Sequence, residues 1–349
     1  MISKVAGTVL AAFTLDRLRR SKTGQMRGRR SPDSSEKSPF IEIDEQSEEK
    51  EMIKGSEIKG IIAAIATPFD DKEEVNYSGL KEITEYLLDG GVDGIMTTGG
   101  TGEFPHLTRE EKRKVTKAIV EVCKGRVPVI AGTAACSTRE CLQLMQDAKD
   151  CDADAAIMVP PYYFILNEKA IFLHFKALAE AGILPVVIYN NPLYTGNPMS
   201  PRQICDLLVL DNIIGLKQSS SDFGQLVEVI RMAKKGVSIC TGIDSQFHAA
   251  MAVGAVGVYS TAGGILPRQM KDIYELFLKG RLEEARDLHM KLQLVNRFLE
   301  YDPGYVSPAK EALNMLGLPG GIPRKPTPDL TAMQKEELRE ALKQIGALK

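Results

Sequence analysis

From Gly60 onward the chain alternates short apolar runs with longer amphipathic stretches, and it does so eight times. The runs fall at residues 61–66, 94–98, 127–131, 155–159, 185–189, 213–217, 237–240 and 257–260, and a stretch with helical spacing follows each. Runs this rich in β-branched residues and alanine read as strands buried on both faces, which is the pattern of a parallel sheet. Strict alternation implies helices covering that sheet. Eight units match an α/β fold of the closed (β/α)8 TIM-barrel type, which typically takes ~250 residues. A doubly wound open sheet would announce itself with G-x-G-x-x-G after the first strand, and Ala66-Thr67-Pro68-Phe69 has no such pattern.

Local signals agree with this frame. Thr108 with Glu111 makes a capping box after the second strand, and Asp222 is a good N-cap after the sixth. Beyond Gly280 the alternation stops. Residues 281–299, 308–316 and 331–348 read as helices, the last two separated by a proline-rich segment at 320–328. The expected organisation is an extension at 1–56, a catalytic barrel at 57–280, and a C-terminal helical appendage at 281–349 packed on the barrel. The extension has a mildly apolar segment at 5–15, six arginines between Arg17 and Arg30, and a polar, acidic stretch at 31–54. A secretory signal would place its charge before the apolar segment, where only Lys4 stands. Two readings remain, an organelle transit peptide or a disordered segment with no targeting role.

A formal net charge of -2 gives no electrostatic case for nucleic acid or an acidic membrane surface. No stretch approaches the ~20 apolar residues of a membrane span. Six cysteines without a C-x-x-C pair argue against a zinc site or a disulfide framework, and no metal is expected. A reducing compartment fits best: cytoplasm, or an organelle matrix if the extension is a transit peptide.

Lys217 closes the apolar run Ile213-Ile214-Gly215-Leu216, and the polar stretch Gln218-Ser219-Ser220-Ser221-Asp222 follows at once. Its amine would emerge at the C-terminal end of a barrel strand, where barrel enzymes place their sites. A lysine there is costly unless paired or used, because burial favours the neutral amine, the form that attacks a carbonyl to make a Schiff base. The bland alternative is a strand-end lysine that snorkels to solvent. Other chemistry gathers at the same ends. After the second strand comes Gly99-Gly100-Thr101-Gly102-Glu103, where consecutive amides can form an anion-binding nest suited to a carboxylate, or only a tight turn. After the fourth comes Pro160-Pro161-Tyr162-Tyr163. The fifth ends in Tyr189-Asn190-Asn191-Pro192, with Thr195-Gly196 beyond. Tyr189 would face the same mouth as Lys217, where a phenol can shuttle protons.

These four segments, in order and spacing, resemble the dihydrodipicolinate synthase / N-acetylneuraminate lyase family of class I aldolases. The resemblance runs from about Gly60 to the C-terminal helices and includes Arg324-Lys325-Pro326. It implies a (β/α)8 barrel, a homotetramer built as a dimer of dimers or a homodimer, a small 2-keto acid substrate, and no cofactor beyond the covalent Schiff base. By the same resemblance Lys217 matches the Schiff-base lysine and Tyr189 the proton-relaying tyrosine. The loop of Gly99, Gly100, Thr101 and Gly102 matches the carboxylate-holding segment. Tyr163 matches a tyrosine close to the neighbouring subunit's site.

Two departures bear on function. The family's G-[TS]-T-G-E loop has a hydroxyl residue at the position of Gly100, where it bonds the relay phenol. An arginine that holds the second substrate's carboxylate in dihydrodipicolinate synthase is replaced by Tyr194. A phenol cannot replace a bidentate guanidinium contact, and losing ~1.5–3 kcal/mol weakens binding by roughly one to two powers of ten. The expectation is a Schiff-base lyase acting beside a 2-keto acid, pyruvate or a 2-keto-3-deoxy sugar acid, and not a true dihydrodipicolinate synthase. The alternatives are dihydrodipicolinate synthase proper and a non-catalytic keto-acid-binding homologue.

Overall fold

The computed structural model describes residues 52–300 and 304–349. Eight strands, β1 (Gly60–Ala64), β2 (Gly94–Thr97), β3 (Val129–Gly132), β4 (Ala155–Met158), β5 (Val186–Asn190), β6 (Ile213–Gln218), β7 (Ser238–Thr241) and β8 (Gly257–Ser260), close into one barrel in chain order. Every pairing is parallel, and β8 returns to β1 with Gly257 opposite Gly60. There the backbones approach so closely that a Cβ on Gly257 would lie 2.3 Å from the Gly60 carbonyl oxygen. The expected (β/α)8 architecture is therefore observed, with helices between the strands. Three strands start later than the apolar runs suggest, at Val129, Val186 and Ser238; at the first two, Pro128 and Pro185 have no N–H for the ladder. Their carbonyls still serve it, accepting from Ile95 and Ala156.

Strand alternation divides the apolar residues between two environments. Ile62, Met96, Ile130, Ile157, Val187 and Tyr259 fill the barrel interior, while Val186, Ile188 and Leu216 face the surrounding helices. Each fully buried Ile, Val or Leu contributes ~1.5–3 kcal/mol, so both faces of the sheet hold the barrel closed. The helix Arg109–Cys123 starts with the expected capping box: Thr108 N–H donates to Glu111 at 2.7 Å and Glu111 N–H donates to Thr108 Oγ1 at 3.2 Å. Asp222 caps the helix Phe223–Met232 by accepting from Gly224 N–H.

The chain entering the barrel packs earlier than the expected boundary at residue 56. Ile53 rests against the interior cluster, Ile58 is fully buried, and Ser238 Oγ donates to the Ile58 carbonyl at 2.7 Å. The rest of the extension, residues 1–51, lies outside the described residues, and with it the targeting question. After β8 and the helix Pro267–Leu278, three more helices cover one flank: Leu282–Glu300, Val306–Met315 and Ala332–Gln344. The second begins two residues before Pro308, which sits in the first turn where its missing N–H costs no helical bond. The last ends at Gln344 rather than Leu348, with Gly346 at φ 77 turning the chain away. Among the described residues, no helix is long and apolar enough to cross a membrane.

Candidate active site

β5 and β6 pair with Tyr189 opposite Lys217, so both side chains point into the barrel at its C-terminal end. Lys217 is only 6% exposed. Its Nζ lies 3.8 Å from the Met96 sulfur, 4.3 Å from the Tyr189 ring centre and 5.7 Å from that of Tyr259. This is an apolar, aromatic setting rather than the exposed end of a snorkelling chain. Gly242, just past β7, makes room for it: a Cβ there would stand 2.7 Å from Lys217 Cε and 2.9 Å from Cγ. Asn191 Nδ2 donates to the Tyr189 hydroxyl at 2.9 Å, which occupies an acceptor site and leaves that hydroxyl's own proton to be given.

Sequence reasoning missed Asp244. It is 4% exposed, accepts from the amides of Thr261 at 3.1 Å and Ala262 at 3.0 Å, and takes the Ser260 hydroxyl as well. Burial pushes its carboxyl above the usual range, while these bonds and the Lys217 charge pull it back. Glu300, accepting from Ser245, is pushed up by burial and by the charge of Asp244. Both acids lie far along the chain from the quoted motifs, and neither breaks a local pattern that would have flagged it.

The loop after β2 is drawn tight by amides of Glu103 and Phe104 donating to the carbonyls of Gly100 and Gly99. Thr67 Oγ1 donates to the Gly102 carbonyl at 2.9 Å, and Thr101 Oγ1 lies 3.0 Å from Thr261 Oγ1. Thr101 thus reaches the same corner as Asp244. Below the loop, Glu103 takes the left-handed conformation (φ 55) and turns its carboxylate into the protein. There it meets Lys310 Nζ at 2.5 Å, the Arg324 amide at 3.0 Å and His106 Nδ1 at 3.1 Å. Both partners of the Glu103–Lys310 pair are 1% exposed, and burial lowers the lysine's pKa to about 8. Lys310 stands on the otherwise apolar face of its helix, the one sequence signal that could have found it.

Three phenols gather at the mouth. Tyr194, in the short helix Pro192–Thr195, meets the Tyr305 ring edge-on at 6.0 Å. Burial raises the pKa of both, and the Tyr189 phenol raises each further. Tyr305 was absent from the sequence reading. Its hydroxyl lies where a side chain on Gly100 would go, 2.5 Å from a Cβ built there.

Tyr163 is not brought to Lys217 within this chain. It is 85% exposed, at φ 81, with its ring against Phe164. A left-handed tyrosine costs roughly 1–2 kcal/mol. Buried Asn197 holds the segment there, donating to the carbonyls of Pro161 and Phe164 and accepting from Leu166 N–H. Tyr162 turns inward, edge-on to Phe104. Among the described residues, no group of three or more His, Cys, Asp or Glu side chains is placed to hold a metal ion.

A family model described as the dihydrodipicolinate synthetase family matches residues 57–345. The chain belongs to that family. It is an enzyme of the lyase class, with the aldolase barrel described above. A 4-hydroxy-tetrahydrodipicolinate synthase from Methanopyrus kandleri is 37% identical over 298 residues, covering 84% of this chain and 98% of the relative. The crystal structure of dihydrodipicolinate synthase from Aquifex aeolicus superposes with a TM-score of 0.78 at 34% identity, over 83% of this chain and 98% of that one. A prophage protein of the family from E. coli, solved in complex with pyruvate, gives a TM-score of 0.80 at 27% identity, over 83% and 99%.

Proposed function

We propose that the protein is a class I lyase forming a Schiff base between Lys217 and a 2-keto acid. The observation that carries this is the strand-end amine, buried against the Met96 sulfur and the phenol rings of Tyr189 and Tyr259. Nζ attacks the keto carbon, the keto oxygen leaves as water, and the protonated imine draws electrons from the neighbouring C–C or C–O bond. Tyr189 carries protons. The amides of Gly99, Gly100, Thr101 and Gly102 face the substrate carboxylate, with the Thr101 hydroxyl beside them. Catalysis here needs no metal or organic cofactor, since the imine is the electron sink.

For the second substrate, Tyr194 supplies a phenol where a carboxylate-bearing aldehyde needs a guanidinium. A 2-keto-3-deoxy sugar acid, cleaved or dehydrated, suits that mouth better than aspartate semialdehyde. A second reading, dihydrodipicolinate synthase itself, is favoured by the names of relatives at 37% and 38% identity. Borohydride trapping with pyruvate, then a panel of sugar acids and aspartate semialdehyde, tests both. We expect a stable adduct on Lys217, turnover of a sugar acid, and weak condensation with the semialdehyde that Tyr194→Arg improves. An adduct elsewhere removes the site, and efficient condensation by the unmodified protein selects the second reading.

The rim also carries Tyr163, Phe164, Ile165 and Leu193, all more than 70% exposed. Apolar side chains so grouped suit an interface, and a second copy of this chain is the occupant we propose, in a dimer or a dimer of dimers. One structural neighbour is described as a monomeric variant, so sedimentation velocity decides: a single monomer boundary at micromolar concentration rejects the assembly.

A further inference from the structure

The loop after β2 has no side-chain hydroxyl at Gly100, yet the space beside it is not empty. A Cβ built on Gly100 would lie 2.5 Å from the Tyr305 hydroxyl oxygen, 3.3 Å from its Cζ and 3.4 Å from Cε2. Tyr305 immediately precedes the helix Val306–Met315, so the phenol comes from the C-terminal helices and not from a barrel loop. Its ring is edge-on to Tyr194, and it is near enough to Tyr189 that charge on one phenol opposes ionisation of the other. A glycine at 100 is thus what admits the phenol: any larger residue would have to displace the tip of Tyr305.

We propose that Tyr305 is a positioning residue of the proton relay, its hydroxyl delivered from the C-terminal helices into the place a loop side chain at position 100 would fill. The proposal rests on the Schiff-base reading above. In the dehydration step, the nitrogen lone pair of the carbinolamine forms the C=N bond as the C–O bond breaks. The departing hydroxyl takes the Tyr189 proton and leaves as water. Tyr189 regains a proton from Tyr305, and Tyr305 regains one from solvent at the mouth, so the relay returns to its starting state. Tyr305 acts through Tyr189 and does not itself touch the substrate.

The test uses the full chain and pyruvate alone, so no second substrate need be known. Imine and enamine formation exchanges the pyruvate methyl protons with D2O, which proton NMR follows, and borohydride trapping reports the Lys217 adduct. Tyr305→Phe should slow exchange by about 10²-fold, the lower end for a positioned proton-transfer group, with the pyruvate concentration at half-maximal rate nearly unchanged. Gly100→Ser alone should also be impaired, because its Cβ meets the phenol. The pair Gly100→Ser with Tyr305→Phe, which returns a hydroxyl to the loop and removes the overlapping oxygen, should recover to within a few-fold of wild type. Recovery in the pair is the supporting result, since lost packing alone would not be repaired by a serine at 100. Exchange by Tyr305→Phe at the wild-type rate, full activity in Gly100→Ser alone, or no recovery in the pair would each overturn the proposal. If the unmodified protein neither exchanges pyruvate nor traps it on Lys217, the Schiff-base reading itself has failed, and the two failures are told apart by the wild-type control.

Discussion

Gly242 packs against the stem of Lys217, the amine proposed to react, and adding one methyl group there measures how tightly the lysine is held. The new Cβ in Gly242→Ala would stand 2.1 Å from Ser219 Oγ, 2.7 Å from Lys217 Cε and 2.9 Å from Lys217 Cγ. Carbon atoms pack at about 3.5–4.0 Å. Ser219 can rotate its hydroxyl away, but the lysine stem must retreat by roughly 0.8 Å or more to restore that separation. Tyr189 and Met96 stand against the amine, so the displacement is passed on to Nζ. A misplacement of about 1 Å costs on the order of 10² in rate, or about 2.7 kcal/mol of barrel-imposed alignment. Overpacking adds about 1–3 kcal/mol of destabilisation, too little to unfold the barrel. The assay is the rate of borohydride-trappable adduct formation with pyruvate, read by mass, beside a thermal melt. We expect adduct formation about 10²-fold slower and a melting temperature lower by a few degrees. An adduct at the wild-type rate, with the melt unchanged, would show that the stem moves freely and that the packing around Lys217 does not set its reactivity.

Two further outcomes follow from buried charges. Lys310→Met leaves Glu103 buried without its ammonium partner and should cost about 3–5 kcal/mol in urea denaturation, most of it recovered when Glu103→Gln is added; equal stability of the single and double variants would refute the pairing argument. His174, buried on the helix Glu168–Glu180 with Nδ1 2.9 Å from Thr138 Oγ1, has its pKa lowered to about 4 by burial. An unfolded histidine takes its proton near 6.5, so between these values the unfolded chain binds more protons and stability falls as the pH drops through that window, by up to about 3 kcal/mol from this group. His174→Gln should flatten the dependence between pH 6.5 and 4, and an unchanged slope would mean that other groups carry the acid sensitivity.

The barrel could be read from the sequence because its strands are buried on both faces, which writes each as a short unbroken apolar run. Only some of their ends were misread, among them the starts at Pro128 and Pro185, which interrupt the ladder while remaining apolar. Lys217 and Tyr189 were legible for a related reason: a polar group ending such a run has one place to go, the rim. What could not be read was the third dimension of the mouth. Tyr305 fills the space at Gly100, and Lys310 neutralises Glu103, across separations that no local periodicity encodes; the Arg324 amide reaches Glu103 from 221 residues away. Asp244 looked like an ordinary loop acid because what marks it is the set of amides aimed at it. The left-handed backbone of Tyr163 was equally hidden, since it depends on the bonds made by Asn197.

The Glu103–Lys310 pair also sets an order of events in the life of the molecule. A ribosome makes this chain from its N-terminus, so Lys217 and all eight strands are synthesised before the helix that carries Lys310. Until that helix arrives, Glu103 has only water to solvate its charge, and the loop Gly99–Glu103 lacks the ammonium that anchors it. The exchange of water for ammonium is made when the last helices dock. The strand that carries Lys217 is therefore laid down early, and the loop Gly99–Glu103 is tied down late. On the function proposed above, a nascent chain carries the Lys217 amine before the loop beside it is anchored, which ties the finished shape of the barrel mouth to the arrival of the last helices.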